Sequence, residues 1–254
     1  MIQHTALLLP FLLALASHAD TPVISSAKII PDDTTITVAG QDFWLQTPEK
    51  AHSFTPGDDL RRYEVRKGDR WKNDAGSNFM RCELCGQTTY QNKLVTVTYE
   101  VKVDPGSPVV PDWLLLGQFH QTDVPGKRAA PPFGLYIESV KGAWQWIVLA
   151  HTSPEKTFKE MPPSQRLGTA PFKRGAWQTV KVEFKDSAGQ PGGIIRVWID
   201  GAQVVDFSGH VGFNDPKGSY WKEGIYTAEE TNWKDPLPAD WRIAVEYRRL
   251  KIEG

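Results

Sequence analysis

Three short segments carry side chains that could do chemistry together: Arg81-Cys82-Glu83-Leu84, Gln118-Phe119-His120 and Tyr220-Trp221-Lys222-Glu223-Gly224-Ile225-Tyr226. Arg81 offers a planar fork of donors and Gln118 an amide donor, groups that can hold a carboxylate. His120 titrates near neutrality and Tyr220 carries a hydroxyl that can give up or return a proton, so the two form a candidate acid–base pair. Lys222 can favour the phenolate of Tyr220 or hold a neighbouring carboxylate, because a nearby cation stabilises an anion. Chemistry of this kind moves a proton beside a bound anion. In each segment the polar residues recur at every second position, so in a strand they project from one face. Polar residues on an outer face alternate in the same way, and it is the combination of types across the three segments that points to a site.

The elements that must position these side chains read as strands. Leu94 to Val103, Thr179 to Phe184 and Trp241 to Tyr247 alternate apolar and polar residues with period two. Ile194–Ile199 faces Ala202–Phe207 across Asp200-Gly201, a strong signal for a two-residue hairpin turn. Pro occurs 19 times and Gly 21 times, punctuating the strands, and no segment shows a sustained helical stripe with caps. The expected fold is therefore all-β: a β-jelly-roll sandwich of two antiparallel sheets, concanavalin-like in architecture. Sandwiches of this kind often use one sheet face as a carbohydrate groove. Ten Trp residues suit stacking on sugar rings. Trp144 and Trp146, two apart in a strand-like run, could line such a groove or fill the core.

At the N-terminus, Ala6 to Ala16 form a short apolar run followed by Ser17-His18-Ala19, which reads as a signal peptide over residues 1–19. The run is too short to span a bilayer, and no second apolar stretch follows it. Residues 20–254 are expected to form a single domain, exported to the periplasm or the medium and acting as a monomer. A formal net charge of −1 supplies no global field for nucleic acid or an anionic membrane surface, so function must reside in a local site. Two cysteines, Cys82 and Cys85, would point to opposite faces if their segment is a strand, and a bridge between them then requires a turn at Gly86.

Other chemistries lack their signatures. There is no E-x-D-x-x-E strand for a sandwich glycoside hydrolase, no G-x-S-x-G elbow, and neither H-E-x-x-H nor paired Cys/His spacing for catalytic zinc. No cofactor is required by the expected chemistry. Asp32-Asp33 and Asp58-Asp59 are candidates for a structural calcium site with loop carbonyls, although acidic pairs in loops are usually just solvated.

The three segments together resemble the jelly-roll polysaccharide lyases, a superfamily that includes alginate, glucuronan and heparin lyases. These carry an R-x-E-L strand, a Q-x-H strand and a Y-x-K-x-G-x-Y strand, and all three patterns occur here in that order. The stretch Tyr63-Glu64-Val65-Arg66-Lys67-Gly68-Asp69, with Gly117 before the Q-x-H, is closest to the glucuronan and heparin lyase I-like group. Cys85 stands where alginate lyases commonly have a second Arg. The resemblance implies an acidic polysaccharide as partner, Arg81 and Gln118 at its carboxylate, and Lys222, Tyr226, Glu83, Arg66 and Trp146 as further substrate contacts.

The implied reaction is β-elimination at a 4-linked uronic acid, giving a C4=C5 unsaturated end. A proton on carbon beside an anionic carboxylate is very weakly acidic, so that carboxylate must be neutralised while the enolate-like state develops. When the C5 hydrogen and O4 share a face, as in glucuronate or mannuronate, Tyr220 could serve as base and then acid, with His120 assisting. When they lie on opposite faces, as in guluronate or iduronate, His120 is the natural base and Tyr220 the acid. A non-catalytic carbohydrate-binding module or lectin is the alternative reading.

Overall fold

The computed structural model describes residues 28–254 apart from 58, 106–108, 110, 123–130, 153–163, 188–189, 214–216 and 232–234. The signal-peptide reading of residues 1–19 lies outside the described residues.

Period-two patterning becomes two antiparallel sheets. The first has eight strands in the order β1 (Thr35–Val38), β2 (Gln41–Gln46), β5 (Phe79–Gly86), β14 (Ser219–Ala228), β7 (Leu114–Gln121), β8 (Phe133–Val140), β9 (Ala143–Ala150) and β10 (Gln165–Pro171). The second has seven: β13 (Ala202–Gly209), β12 (Gly193–Ile199), β11 (Gln178–Lys185), β6 (Val95–Val103), β17 (Arg242–Glu253), β4 (Leu60–Arg66) and β3 (Phe54–Thr55). A short pair, β15 (Glu230–Thr231) and β16 (Asp235–Pro236), stands apart, and a single 3-10 turn spans Lys72–Asp74. The expected hairpin forms between β12 and β13. Asp200 and Gly201 both take positive φ, 50° and 81°, the backbone twist that a two-residue turn between right-twisted strands requires.

The core lies between the sheets. Met80, Cys82 and Leu84 of β5, Trp221 and Ile225 of β14, and Phe119 of β7 turn inward and are at most 1% exposed. Alternation then sends Arg81, Glu83, Lys222, Tyr226, Gln118 and His120 to the opposite face of the eight-stranded sheet. The cysteines follow the same rule and both are free thiols. Cys82 donates to the Ser53 carbonyl at 3.2 Å, while burial pushes the Cys85 thiol up to about 12, so neither is a ready nucleophile.

Two bulges lie side by side beneath the site. The register between β14 and β7 shifts between Glu223 and Tyr226, and that between β7 and β8 shifts between Leu115 and Gly117. Tyr247 of β17 reaches across the core to this point. Its hydroxyl lies 2.5 Å from the Leu116 carbonyl and 2.8 Å from that of Gly224, offering a donor to carbonyls that the interrupted ladders leave. Gly224, the glycine of the tyrosine motif, has φ +136°, and a Cβ there would sit 2.3 Å from the Cys82 carbonyl oxygen. Gly117 is required for another reason: a Cβ would meet the Trp221 ring at 2.7 Å and the Tyr99 hydroxyl at 2.9 Å. Gly224→Ala is expected to destabilise the fold by on the order of 2–3 kcal/mol, measured by chemical denaturation, because the new side chain meets both an unfavourable φ and a backbone oxygen.

One charged pair crosses the core. Arg61 of β4 donates its Nε to Glu223 of β14 at 2.6 Å, both are at most 1% exposed, and Tyr63 adds a hydroxyl at 3.0 Å. The alternation that turns Lys222 outward turns Glu223 inward, where only an opposing cation can compensate its charge.

Candidate active site

Strand β14 lies between β5 and β7, and this placement unites the three sequence segments. Tyr220 pairs in register with His120, Lys222 with both Gln118 and Cys85, and Tyr226 with Arg81. Residues a hundred positions apart in the chain thereby share one face. They border a groove of about 930 Å³ lined by Arg81, His120, Tyr220, Lys222 and Tyr226, with Trp44 and Gln46 from β2 and Trp71 to Asp74 from the 3-10 segment.

Its floor is an ion cluster built around Glu83, which is 2% exposed. Lys222 Nζ donates to Glu83 at 2.7 Å and to the Gln46 side-chain oxygen at 3.0 Å. Gln118 Nε2 donates to the other Glu83 oxygen at 2.7 Å, and Arg81 Nη1 approaches at 3.3 Å. Glu83 is thus an anion shared by two cations and an amide. It positions the groups around it and does not itself suit contact with an anionic sugar.

Arg81 has a second carboxylate partner. Asp74 accepts from Nε at 2.7 Å and from Nη2 at 3.1 Å, a bidentate pair, while Trp71 and Tyr226 flank the guanidinium with ring centroids 5.1 and 4.0 Å away. Burial opposes the charge on Arg81, and Glu83 and Asp74 favour it, which keeps the guanidinium protonated. Burial raises the Tyr226 hydroxyl to about 12 against the pull of Arg81, so it holds its proton at neutral pH.

His120 and Tyr220 face each other across the β7–β14 ladder. His120 Nδ1 lies 2.7 Å from the Gln121 carbonyl oxygen, and the Tyr220 hydroxyl lies 3.4 Å from the same nitrogen. A carbonyl oxygen can only accept, so Nδ1 carries the hydrogen, and in the neutral ring Nε2 is the nitrogen with the lone pair.

Two expected contacts fall elsewhere. Trp146 is fully buried between the sheets, its Nε1 donating to Gln178 of β11 at 3.2 Å, because the even-numbered residues of β9 face the core. Arg66 lies on the outer side of the seven-stranded sheet, 51% exposed and bound to Glu64 at 2.8 Å. Arg66→Ala should leave turnover unchanged; a loss of activity in a steady-state assay would place substrate where the groove is not. The acidic pairs offered as calcium candidates have other partners where they are described. Asp32 accepts from Trp71 Nε1 and lies 2.7 Å from Lys72, and Asp33 lies 2.6 Å from the same ammonium, so their oxygens already serve a cation. Asp58 lies outside the described residues, and Asp59 accepts the Arg249 backbone N–H at 3.0 Å.

Sequence reasoning missed Asp74, Gln46, Trp44 and Trp71. None sits in a motif, and each reaches the groove through the β2–β5 pairing or through the turn before β5.

Fold and site together define a β-jelly-roll protein with a facing His–Tyr pair and an ion cluster on the open face of its larger sheet. The family model described as polysaccharide lyase matches residues 45–238, and the chain belongs to that family. It is an enzyme of the lyase class, which sets aside the binding-module alternative. Among solved structures it is similar to an alginate lyase from Pseudomonas aeruginosa, at 16% identity and TM-score 0.59 over 83% of this chain and 97% of the other. An endo-β-1,4-glucuronan lyase from the fungus Trichoderma reesei gives 13% and 0.59 over 86% of each chain. An alginate lyase from Corynebacterium sp. gives 15% and 0.54 over 86% and 92%. At these identities the likeness is one of fold. No curated protein matches the sequence.

Proposed function

We propose that this lyase cleaves a 4-linked uronate-containing polysaccharide by β-elimination, with His120 taking the C5 proton through Nε2 and Tyr220 protonating the departing O4. The observation that carries this reading is the 2.7 Å contact of His120 Nδ1 with the Gln121 carbonyl, which makes Nε2 the basic nitrogen. A scheme in which His120 deprotonates Tyr220 through Nδ1 would need the Nδ1 lone pair toward the hydroxyl, whereas donation to the carbonyl puts a hydrogen on that nitrogen. We take Lys222, paired across the ladder from Gln118 and two residues from Tyr220, as the cation that meets the carboxylate beside C5, sharing its charge with Glu83. This division of labour suits a uronate whose C5 hydrogen and O4 lie on opposite faces. The reading needs no cofactor. It is consistent with a monomer exported to the periplasm or medium, which the N-terminal apolar run supports.

A second reading rests on register. Arg81 lies beside Tyr226, six residues from Tyr220 and thus roughly 20 Å along an extended strand before the bulge shortens it. If Arg81 holds the reacting carboxylate, Tyr226 is the nearer hydroxyl and the sugar is glucuronate or mannuronate, cleaved from one face. Its raised pKa argues against service as a base.

The two readings separate in one experiment. Tyr220→Phe and Tyr226→Phe are assayed on glucuronan, polymannuronate, polyguluronate and heparosan with and without C5 epimerisation, following the ultraviolet absorbance of the unsaturated product. The first reading expects turnover on guluronate or iduronate and its loss in Tyr220→Phe. Turnover confined to glucuronate or mannuronate and lost only in Tyr226→Phe would support the second.

A further inference from the structure

The positive charge of the groove is already committed within the protein. Among the described residues three cations line it, Lys72, Arg81 and Lys222. Lys72 pairs with Asp32 and Asp33 at 2.7 and 2.6 Å, Arg81 with Asp74 and Glu83 at 2.7 and 3.3 Å, and Lys222 with Glu83 at 2.7 Å. Four carboxylates therefore face three cations. A polymer with a carboxylate on every sugar would strip water from several anions in a groove whose described residues supply no matching surplus of positive charge, and desolvating an uncompensated charge is costly. Sulfate groups would add to that cost. Between the ion pairs the wall is aromatic and amide: Trp44 and Phe79 offer ring surfaces, and Asn73 offers hydrogen-bonding groups. Such a wall suits the C–H faces and hydroxyls of uncharged sugars.

We infer that the substrate is a polymer of sparse charge, in which the cleaved uronate is flanked by uncharged sugars: an unsulfated chain alternating uronate with a neutral hexose or N-acetylhexosamine. The inference rests on the elimination chemistry proposed above and concerns only what surrounds the cleaved sugar.

The test compares kcat/KM on heparosan and its C5-epimerised form, which alternate uronate with N-acetylglucosamine, against glucuronan, polymannuronate and polyguluronate. The alternating polymer of the preferred epimer should exceed the homopolymers by at least about tenfold. Its KM should change little as NaCl is raised, since few net ionic contacts are available to screen. A homopolymer cleaved as well or better overturns the inference and leaves the elimination chemistry standing. Cleavage of none of the polymers overturns both. Asp33→Asn supplies an independent handle, because Asp33 has φ 61°, a conformation that Asn tolerates, and the change removes one of the two carboxylates that hold Lys72, leaving Asp32 alone on it. The ratio of activities should shift toward the homopolymers in this variant; an unmoved ratio contradicts the charge argument.

Discussion

Tyr220→Phe should lower kcat/KM by about 10²–10⁴-fold, the range that a positioned proton donor contributes, while polymer binding is retained. The variant loses one oxygen and keeps the ring, which lies tilted against that of His120 with centroids 5.6 Å apart. The fold has no stake in that hydroxyl, because Tyr220 is only half-buried and β14 is held by its two ladders. A fall in kcat with KM unchanged would mark an interaction made in the transition state alone. If Tyr220→Phe matches the wild type, the acid assigned here is wrong and the hydroxyl of Tyr226 takes its place.

Glu83→Ala should be the most damaging single change at the site. It leaves the Lys222 ammonium, 2% exposed, with the Gln46 oxygen in place of a carboxylate as its acceptor, and it removes one of the two carboxylates on Arg81. Breaking one side of a buried ion pair typically costs about 3–5 kcal/mol. For a domain of this size that lowers the thermal midpoint by roughly 6–20 °C, which differential scanning calorimetry would read. Activity should vanish with it, because Lys222, Arg81 and Gln118 all take their positions from this carboxylate. The double variant Glu83→Leu with Lys222→Met separates the two effects. Both charges leave together, so the fold should recover much of its stability while turnover stays lost. A double variant no more stable than Glu83→Ala would mean that packing, and not charge compensation, dominates the cluster.

The strands and the faces of their polar residues were legible because period two is a direct consequence of backbone geometry. The β12–β13 hairpin was legible from Asp200-Gly201, and the opposite orientations of Cys82 and Cys85 followed from their spacing. Periodicity cannot say which of two faces is the groove. Trp146 lies on an alternating strand as expected, yet its face is the core, and Arg66 alternates correctly on the wrong sheet. The neighbours of β14 were not legible either, since β5 and β7 lie far earlier in the chain, β7 by about a hundred residues and β5 by more. The three motifs suggested a shared face only through the resemblance that joined them. Asp74 and Gln46 carry no pattern at all. Asp74 earns its place through a bidentate fit to Arg81, visible only in three dimensions. Glu223 sits inside the tyrosine motif and looks like a site residue, but alternation sends it into the core to meet Arg61.

The account stands most directly on the chemical form of the product. The protein is incubated with the polymer panel and the new chain ends are analysed by mass spectrometry together with ultraviolet absorbance. Elimination predicts fragments with a C4=C5 double bond, each pair of ends lacking the mass of one water relative to hydrolysis. Fragments with saturated ends, or tight binding with no new ends at all, would contradict it.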